Sequence, residues 1–187
     1  KVNLSKKDLD QLDKNLPLLN KDLEKAIYQR VQEFRDKKDS FGGVLELAIV
    51  GDLPFMGNAY FDRIQAKLSR LLLSIPGSKG IDFGNGFEAI TLKGSENNDP
   101  WVLKDGKIQT KTNKAGGVNG GIANGMPIIA RIAFKPTASI SSPQETLNIK
   151  EERQEVLEIE GRHDPAFVLR TPPVVEAMAA IAVLDMV

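Results

Sequence analysis

Cysteine is absent from this chain of 187 residues, and histidine occurs once, at His163. Without cysteine, disulfide bonds and thiolate metal sites are excluded, and a single histidine excludes a metal centre built from several histidines of this chain. The absence of cysteine is also compatible with a reducing compartment. We therefore predict neither a metal site nor a stabilising disulfide.

A charge excess of one sign and a long apolar run are lacking as well. The 25 Lys and Arg residues balance the 25 Asp and Glu residues, so no overall field attracts the chain to nucleic acid or to an anionic membrane. The longest apolar run, near the C-terminus, is too short to span a bilayer, and no secretory signal pattern is present. We predict no nucleic-acid partner and no membrane partner, and any recognition of phosphate must be local.

Glycine is concentrated in one stretch, which the rest of the chain surrounds. Five glycines lie in the ten positions from Gly116 to Gly125, in the segment AGGVNGGIANGMP. No helix or strand interior tolerates that density, so the segment is predicted to be a loop that can aim several backbone amides at an anion. Such loops also serve as plain connections between elements. The glycines alone leave both interpretations open.

A strand is predicted directly after this loop. Residues 128–134 alternate between large apolar side chains and Ile129, Arg131 and Ala133, and Pro136 ends the pattern. Lys135 then lies at the end of a strand, and we expect it beside the glycine loop. A fixed cation in such a place commonly binds a phosphate or a carboxylate.

The segment Gly161-Arg162-His163-Asp164-Pro165 forms a second group of candidate functional residues. Arg162 can bind a phosphate or carboxylate with two parallel hydrogen bonds. Asp164 can orient that arginine, or accept a proton if burial raises its pKa. The same segment is also compatible with a purely structural role, in which Arg162 and Asp164 form an ion pair and His163 is an ordinary turn residue.

The remaining sequence predicts alternating helices and strands in one domain. Helices are expected at 20–38, after an Asn20 cap, at 58–75, after an Asn58 cap and with Phe61 on its buried face, and at 174–187. Strands are expected at 44–50, mostly buried, and at 80–83 and 87–92, followed by a hairpin turning at Asp105-Gly106 and a pair formed by 146–149 and 154–159. Trp101 is interpreted as a packing anchor.

Four segments in this order resemble a known family. GGVNGGIANG, the following R-x-x-x-KPT, then GRHDP and PPVVEAM are similar to the carboxy-terminal half of chorismate synthase. The resemblance extends over roughly residues 42–187 and leaves residues 1–41 as an N-terminal helical segment. It departs from the family pattern at Ala123, Ala166 and Thr171, which leaves the motifs readable.

The resemblance implies the fold and the assembly. We expect an α+β half-molecule, an antiparallel sheet packed on a helix layer, that forms half of a β-α-β sandwich. The amino-terminal half, which carries the family's catalytic histidines, is absent, so this chain alone is expected to be inactive. The resemblance further implies a cytoplasmic homotetramer of the shikimate pathway. It also implies a connection with NADP.

The resemblance also implies a reaction and a set of site residues. The family converts 5-enolpyruvylshikimate-3-phosphate to chorismate by 1,4-anti elimination of phosphate, and it requires reduced FMN. Arg162 matches a substrate-binding arginine, and Asp164 matches a catalytic aspartate beside the flavin. The positions that match flavin contacts are Asn124, Gly125, Lys135, Thr137, Ser139 and Asp164.

Two other functions are compatible with the same residues. A non-catalytic phosphate- or nucleotide-binding module would use the glycine loop, Lys135 and Arg162 without any chemistry. A folding or assembly fragment would bind neither flavin nor phosphate. Selective binding of FMN over plain phosphate would favour the chorismate synthase interpretation over these two functions.

Overall fold

The computed structural model describes residues 4–51, 56–104 and 106–187, and a three-stranded antiparallel sheet lies at its centre. In chain order the helices and strands are α1 Lys6–Asp10, α2 Leu23–Asp36, β1 Gly43–Ile49, α3 Ile64–Leu73, β2 Ser78–Phe83, α4 Gly94–Asn97, β3 Trp101–Lys104, β4 Lys107–Thr110, β5 Val118–Asn119, β6 Ile122–Ala123, β7 Ile128–Phe134, β8 Gln144–Asn148, β9 Arg153–Leu157 and α5 Pro172–Leu184. Short 3-10 helices lie at Tyr60–Asp62, Gly86–Thr91 and Phe167–Arg170.

The sheet is built around β7, which pairs with β1 on one side and with β2 on the other. Ile128, Ala130, Ile132 and Phe134 of this strand are buried, and the residues between them are only partly buried. Successive side chains of a strand point to opposite faces, so this alternation gives the sheet one core face and one outer face. The strand predicted from the same alternation is confirmed.

Helices α3 and α5 cover the core face of the sheet. Ile64, Leu68 and Leu72 of α3 are fully buried, at the four-residue spacing that places them on one side of a helix. The buried positions of α5 are Val175, Ala179 and Ala182. The predicted α+β class, with an antiparallel sheet packed on a helix layer, is confirmed.

The outer face of the sheet differs from the prediction for β1. The strand lies where it was expected, but Leu47 is its buried residue and Val44 is 63% exposed. The apolar residues of β1 are therefore not buried on both faces of the sheet. Within the described residues, no second layer covers Val44 on the outer face. A mostly buried β1 was the wrong prediction.

An ion-pair cluster on this outer face explains a second correction. The predicted strand at 87–92 is instead the 3-10 helix Gly86–Thr91. Arg131 donates from Nε and Nη2 to the two carboxylate oxygens of Asp82 at 2.9 and 2.6 Å, and from Nη1 to Glu88 at 3.2 Å. Reaching Arg131 requires the segment with Glu88 to fold back over the sheet. The hydrogen bonds to Asp82, opposed by burial, raise the pKa of Arg131, so its guanidinium stays charged.

The predicted helix caps are also wrong. Asp22 precedes α2 and Arg63 precedes α3, so neither Asn20 nor Asn58 occupies the cap position. Each asparagine accepts a hydrogen bond from an amide one or two residues ahead, a local contact that competes with capping. Because α3 starts late, Phe61 lies in a 3-10 turn and is 92% exposed, contrary to its predicted place on the buried face.

Two hairpins extend from this core. Lys104 lies opposite Lys107 in the β3–β4 pair, which confirms the first hairpin, although Asp105 lies outside the described residues. Strands β8 and β9 form the second predicted pair. Trp101 is 57% exposed, so it does not serve as a packing anchor within this part of the chain.

Candidate functional site

The glycine loop, residues 115–127, is held in place by the side chain of Asn113. Its Oδ1 accepts a hydrogen bond from the amide of Gly117 at 2.7 Å, and its Nδ2 donates to the carbonyl of Pro127 at 2.8 Å. One side chain therefore joins the beginning of the loop to its end. These two bonds constrain the shape of the loop despite its glycines, because a partly buried amide side chain with both groups paired resists movement.

Asp99 binds the backbone just before the first glycine of the loop. Its carboxylate accepts hydrogen bonds from the successive amides of Lys114 at 2.9 Å and Ala115 at 2.8 Å. Protein acceptors also bind the amides of Gly116, Gly117, Ala123, Asn124 and Met126. The prediction that this stretch offers a cluster of free amides to a ligand is therefore wrong for these residues, since the protein supplies the acceptors itself.

Two glycines let the loop approach the end of β2. Gly84 and Gly116 have φ angles of +57° and +66°, a region that side chains rarely adopt. A Cβ on Gly84 would clash with the carbonyl of Lys114, and a Cβ on Gly116 would clash with the amide of Gly84. The amide of Gly84 donates to Ile129 at 3.0 Å, and that of Asn85 to Lys114 at 2.7 Å. The turn after β2 is thus bonded to β7 and to Lys114, the residue before the glycine loop.

The segment after β7 lies at the opposite end of the sheet. The amide of Lys135 donates to Gly77 at 2.9 Å, and Ser40 donates from Oγ to the carbonyl of Thr137 at 2.6 Å. The next residue, Phe41, donates from its amide to Pro165 at 2.8 Å. The short segment before β1 therefore ties the Lys135 loop to the segment that carries Arg162 and Asp164.

His163 makes the direct link between these two loops. Its Nε2 lies 3.0 Å from the carbonyl of Ile159, and its Nδ1 lies 3.1 Å from Ser139 Oγ. A carbonyl can only accept, so Nε2 carries the proton and, in the neutral ring, Nδ1 accepts the hydroxyl proton of Ser139. The Lys135 loop therefore meets the Arg162 loop in the structure, and His163 orients Ser139 where they meet.

Asp164 has a different partner from the one considered in the sequence. Its Oδ2 lies 2.9 Å from Nη2 of Arg170, and its Oδ1 accepts a hydrogen bond from the amide of Ala166 at 3.1 Å. Asp164 therefore does not orient Arg162, and the structural ion pair forms six residues further along. The Asp164 side chain keeps 27% of its surface exposed, which leaves the carboxylate accessible.

Asn124 and Gly125 lie far from Lys135. They precede β7 and Lys135 follows it, and seven residues of extended strand at about 3.3 Å each separate them by roughly 20 Å. Lys135 is therefore not beside the glycine loop, as the sequence led us to expect. Within one chain, the candidate flavin contacts form two groups at opposite ends of the sheet, rather than one pocket.

The Lys135 end has the properties of an anion-binding site. Lys135 and Arg162 are exposed, and neither forms an ion pair with any residue in the described ranges. Thr137 Oγ1 is buried and lacks a hydrogen-bond partner within the same ranges. An unsatisfied buried hydroxyl costs free energy until a partner binds it, and unpaired cations favour an anionic ligand.

Two further searches cover the same described residues. They contain no group of three or more His, Asp or Glu side chains that could hold a metal ion. None of their helices has the length and apolar character needed to cross a membrane.

The fold and the site together define a class. A sheet with one helix layer, and two polar loops meeting at one edge, form an α+β unit. A chorismate synthase family model matches residues 2–187, and this chain belongs to the chorismate synthase family.

Individual relatives agree with the family match. The chain is 46% identical over 160 residues to a chorismate synthase of Opitutus terrae, covering 86% of this chain and 44% of the relative. It is 46% identical over 165 residues to that of Pyrococcus abyssi, covering 87% and 46%. A crystal structure of chorismate synthase superposes with a TM-score of 0.72 at 27% identity, over 90% of this chain and 44% of that one. The chain spans about half the length of the curated relatives it matches.

Proposed function

We propose that this chain forms the carboxy-terminal half of a chorismate synthase. The whole enzyme would convert 5-enolpyruvylshikimate-3-phosphate to chorismate by 1,4-anti elimination of phosphate, in the cytoplasm and as part of the shikimate pathway. The observation that carries the proposal is the meeting of the Lys135 and Arg162 loops through Ser139 and His163, in a chain of this family.

The residues at the Lys135 end fit reduced FMN, which is planar and anionic. The ammonium group of Lys135 would offset the negative charge of the flavin, and the Thr137 hydroxyl would gain the partner that it lacks among the described residues. Ser139 would donate or accept according to the state of His163. Bound FMN supplies electron density transiently while the carbon–oxygen bond of the substrate breaks.

Arg162 would act on the substrate, and Asp164 would act beside the flavin. The exposed guanidinium of Arg162 would bind an anionic group of the substrate with two parallel hydrogen bonds and stabilise the charge on the departing phosphate. Asp164, held by Arg170 and by the amide of Ala166, would accept a proton at its carboxylate. Asp164 is fixed by these two contacts before ligand binds, which reduces the cost of reorganisation.

We propose that an exposed apolar stripe on helix α5 docks the missing half. Helix α5 buries Val175, Ala179 and Ala182 against the sheet, yet Val174, Ile181 and Leu184 are 45%, 51% and 76% exposed. Spacings of seven and three residues place these three on one side of the helix, away from the core. An apolar stripe on an already packed helix favours a covering layer, and we assign it to the amino-terminal half of the sandwich.

A homotetramer would explain why the candidate contacts are split. Asn124 and Gly125 lie about 20 Å from Lys135 along β7, so we propose that they reach the flavin of a neighbouring copy.

A protein with Lys135→Met and one with Asn124→Ala should then complement each other when mixed and reassembled. About a quarter of the sites would have both residues intact in a symmetric assembly, and FMN titration would count them. No recovery of sites would contradict the sharing.

Reconstitution tests the proposed function as a whole. This chain should bind the amino-terminal half of a related chorismate synthase, bind FMN in preference to inorganic phosphate, and form chorismate in the presence of reduced FMN. The chain alone should form none. A folded complex that binds FMN and phosphate equally and forms no chorismate would favour a non-catalytic anion-binding module instead.

A further inference from the structure

Asp99 lies outside the candidate contacts and binds the backbone at the start of the glycine loop. Its Oδ1 accepts from Thr112 Oγ1 at 2.6 Å and from the amide of Lys114 at 2.9 Å, and its Oδ2 accepts from the amide of Ala115 at 2.8 Å. The three donors lie 13 to 16 residues further along the chain. One carboxylate therefore joins the segment before β3 to the start of the loop.

From Asp99, a short stretch of backbone at residues 112–115 and two further hydrogen bonds lead to Asn124. The turn that Asp99 holds begins at Asn113, whose Oδ1 accepts from the amide of Gly117 at 2.7 Å. The carbonyl of Gly117 then accepts from the amide of Asn124 at 3.0 Å. The Asn124 side chain is fixed in turn by Asn119, to which its Nδ2 donates at 2.6 Å. Moving the Asp99 turn would therefore move Asn124.

The charge of Asp99 is maintained under ordinary conditions. Burial alone would raise the pKa of this carboxyl, but the hydrogen bonds from Thr112, Ala115 and Lys114 outweigh it, so the pKa lies below its ordinary value. A lowered pKa means that the stabilisation is present above the ordinary pKa and is lost only as the pH falls through the folded value. At neutral pH the carboxylate is ionised, and its contacts to the amides are charge-assisted.

We propose that Asp99 is a positioning residue, which orients Asn124 and Gly125 for flavin binding by fixing the turn at residues 113–117. This inference rests on the proposed function, because it assigns a role toward the same cofactor. Asp99 itself has no contact with the ligand. It acts by binding the amides of Lys114 and Ala115, which fixes the backbone conformation at the start of the loop.

The variant Asp99→Asn tests this role in the reconstituted protein. It keeps the size of the side chain but removes the charge and replaces one acceptor oxygen with a donor. We expect the Kd for FMN, measured by quenching of flavin fluorescence, to rise about tenfold, since a misplaced contact residue loses much of its interaction. Asp13→Asn is the matched control, because Asp13 also accepts from two backbone amides, of Asn15 and Leu16, far from the loop. Its Kd should not change.

A double-mutant cycle separates positioning from a general structural role. If Asp99 acts through Asn124, then Asp99→Asn should have little further effect on FMN affinity in the Asn124→Ala background. Equal losses in both backgrounds, or no loss in either, would overturn the inference. If Asp99→Asn does not fold, Thr112→Val, which removes one of the three hydrogen bonds, takes its place, with Thr112→Ser expected to restore binding. Failure of the unmodified protein to bind FMN would overturn the proposed function instead.

Discussion

Replacing Lys135 with methionine should weaken FMN binding by about 30-fold to 100-fold, which corresponds to roughly 2–3 kcal/mol for a charge-assisted contact to an anion. Methionine keeps much of the length and apolar surface of the side chain but removes the ammonium group. Because Lys135 is exposed and lacks an ion-pair partner in the ranges the structure describes, the folded protein should lose little stability. Fluorescence titration of the reconstituted protein with FMN measures the affinity, and thermal unfolding measures the stability.

Lys150→Met provides the matched control for this prediction. Lys150 lies in the turn between β8 and β9, so its loss changes the net charge equally but leaves the site untouched. Lys135→Arg should retain part of the affinity, since the charge remains while its position and shape change. Equal affinities for FMN in the Lys135→Met and Lys150→Met proteins would remove the Lys135 end of the sheet from the proposed flavin site.

The elements that could be predicted from the sequence are those that a local pattern determines. Strand β7 follows from strict alternation, α3 and α5 from apolar spacing, and the two hairpins from strand pairs around turn residues. The segment at 87–92 has an equally good strand pattern. It forms a 3-10 helix instead, in which Glu88 pairs with Arg131, 43 residues away, and local periodicity carries no information about such a partner.

The candidate site could be predicted only in part for the same reason. The motifs identified the Lys135 loop and the Arg162 loop, which meet through Ser139 and His163. The glycine motif correctly indicated a loop. It could not reveal that the Asp99 carboxylate accepts hydrogen bonds from the amides of Lys114 and Ala115 at the start of that loop. No motif marks Asp99, and a Pro follows it as in many ordinary turns. Its role depends on where the chain returns 13 to 16 residues later.

The distance between Lys135 and Asn124 was nevertheless available from the sequence. A strand of seven residues has a length of about 20 Å, so residues that flank it cannot be neighbours. Asn124 and Lys135 are close in the sequence, which suggested that they are close in space. The extended strand that the alternation predicts between them excludes that proximity. This geometry is what makes a shared site between copies the stronger proposal for Asn124 and Gly125.

Introducing glutamate at both Ile181 and Leu184 should weaken binding of the amino-terminal half at least 100-fold and abolish chorismate formation in the reconstituted protein. These side chains are 51% and 76% exposed on the apolar stripe of α5. Burying two large aliphatic side chains contributes about 1.5–3 kcal/mol each, and burying an unpaired carboxylate adds a further cost. Isothermal titration of this chain with the other half measures the loss, and circular dichroism of the variant alone should show an unchanged fold.

The pair Leu147→Glu and Val156→Glu is the control, since it adds the same charge at aliphatic residues that are 51% and 65% exposed on the β8–β9 hairpin, outside the helix layer. If the stripe on α5 docks the amino-terminal half, the hairpin variant should assemble normally while the helix variant remains separate. Normal assembly of the helix variant would mean that another surface receives the missing half, because two carboxylates cannot be buried in an apolar interface without a large penalty. The exposed apolar face of α5 would then need a different partner.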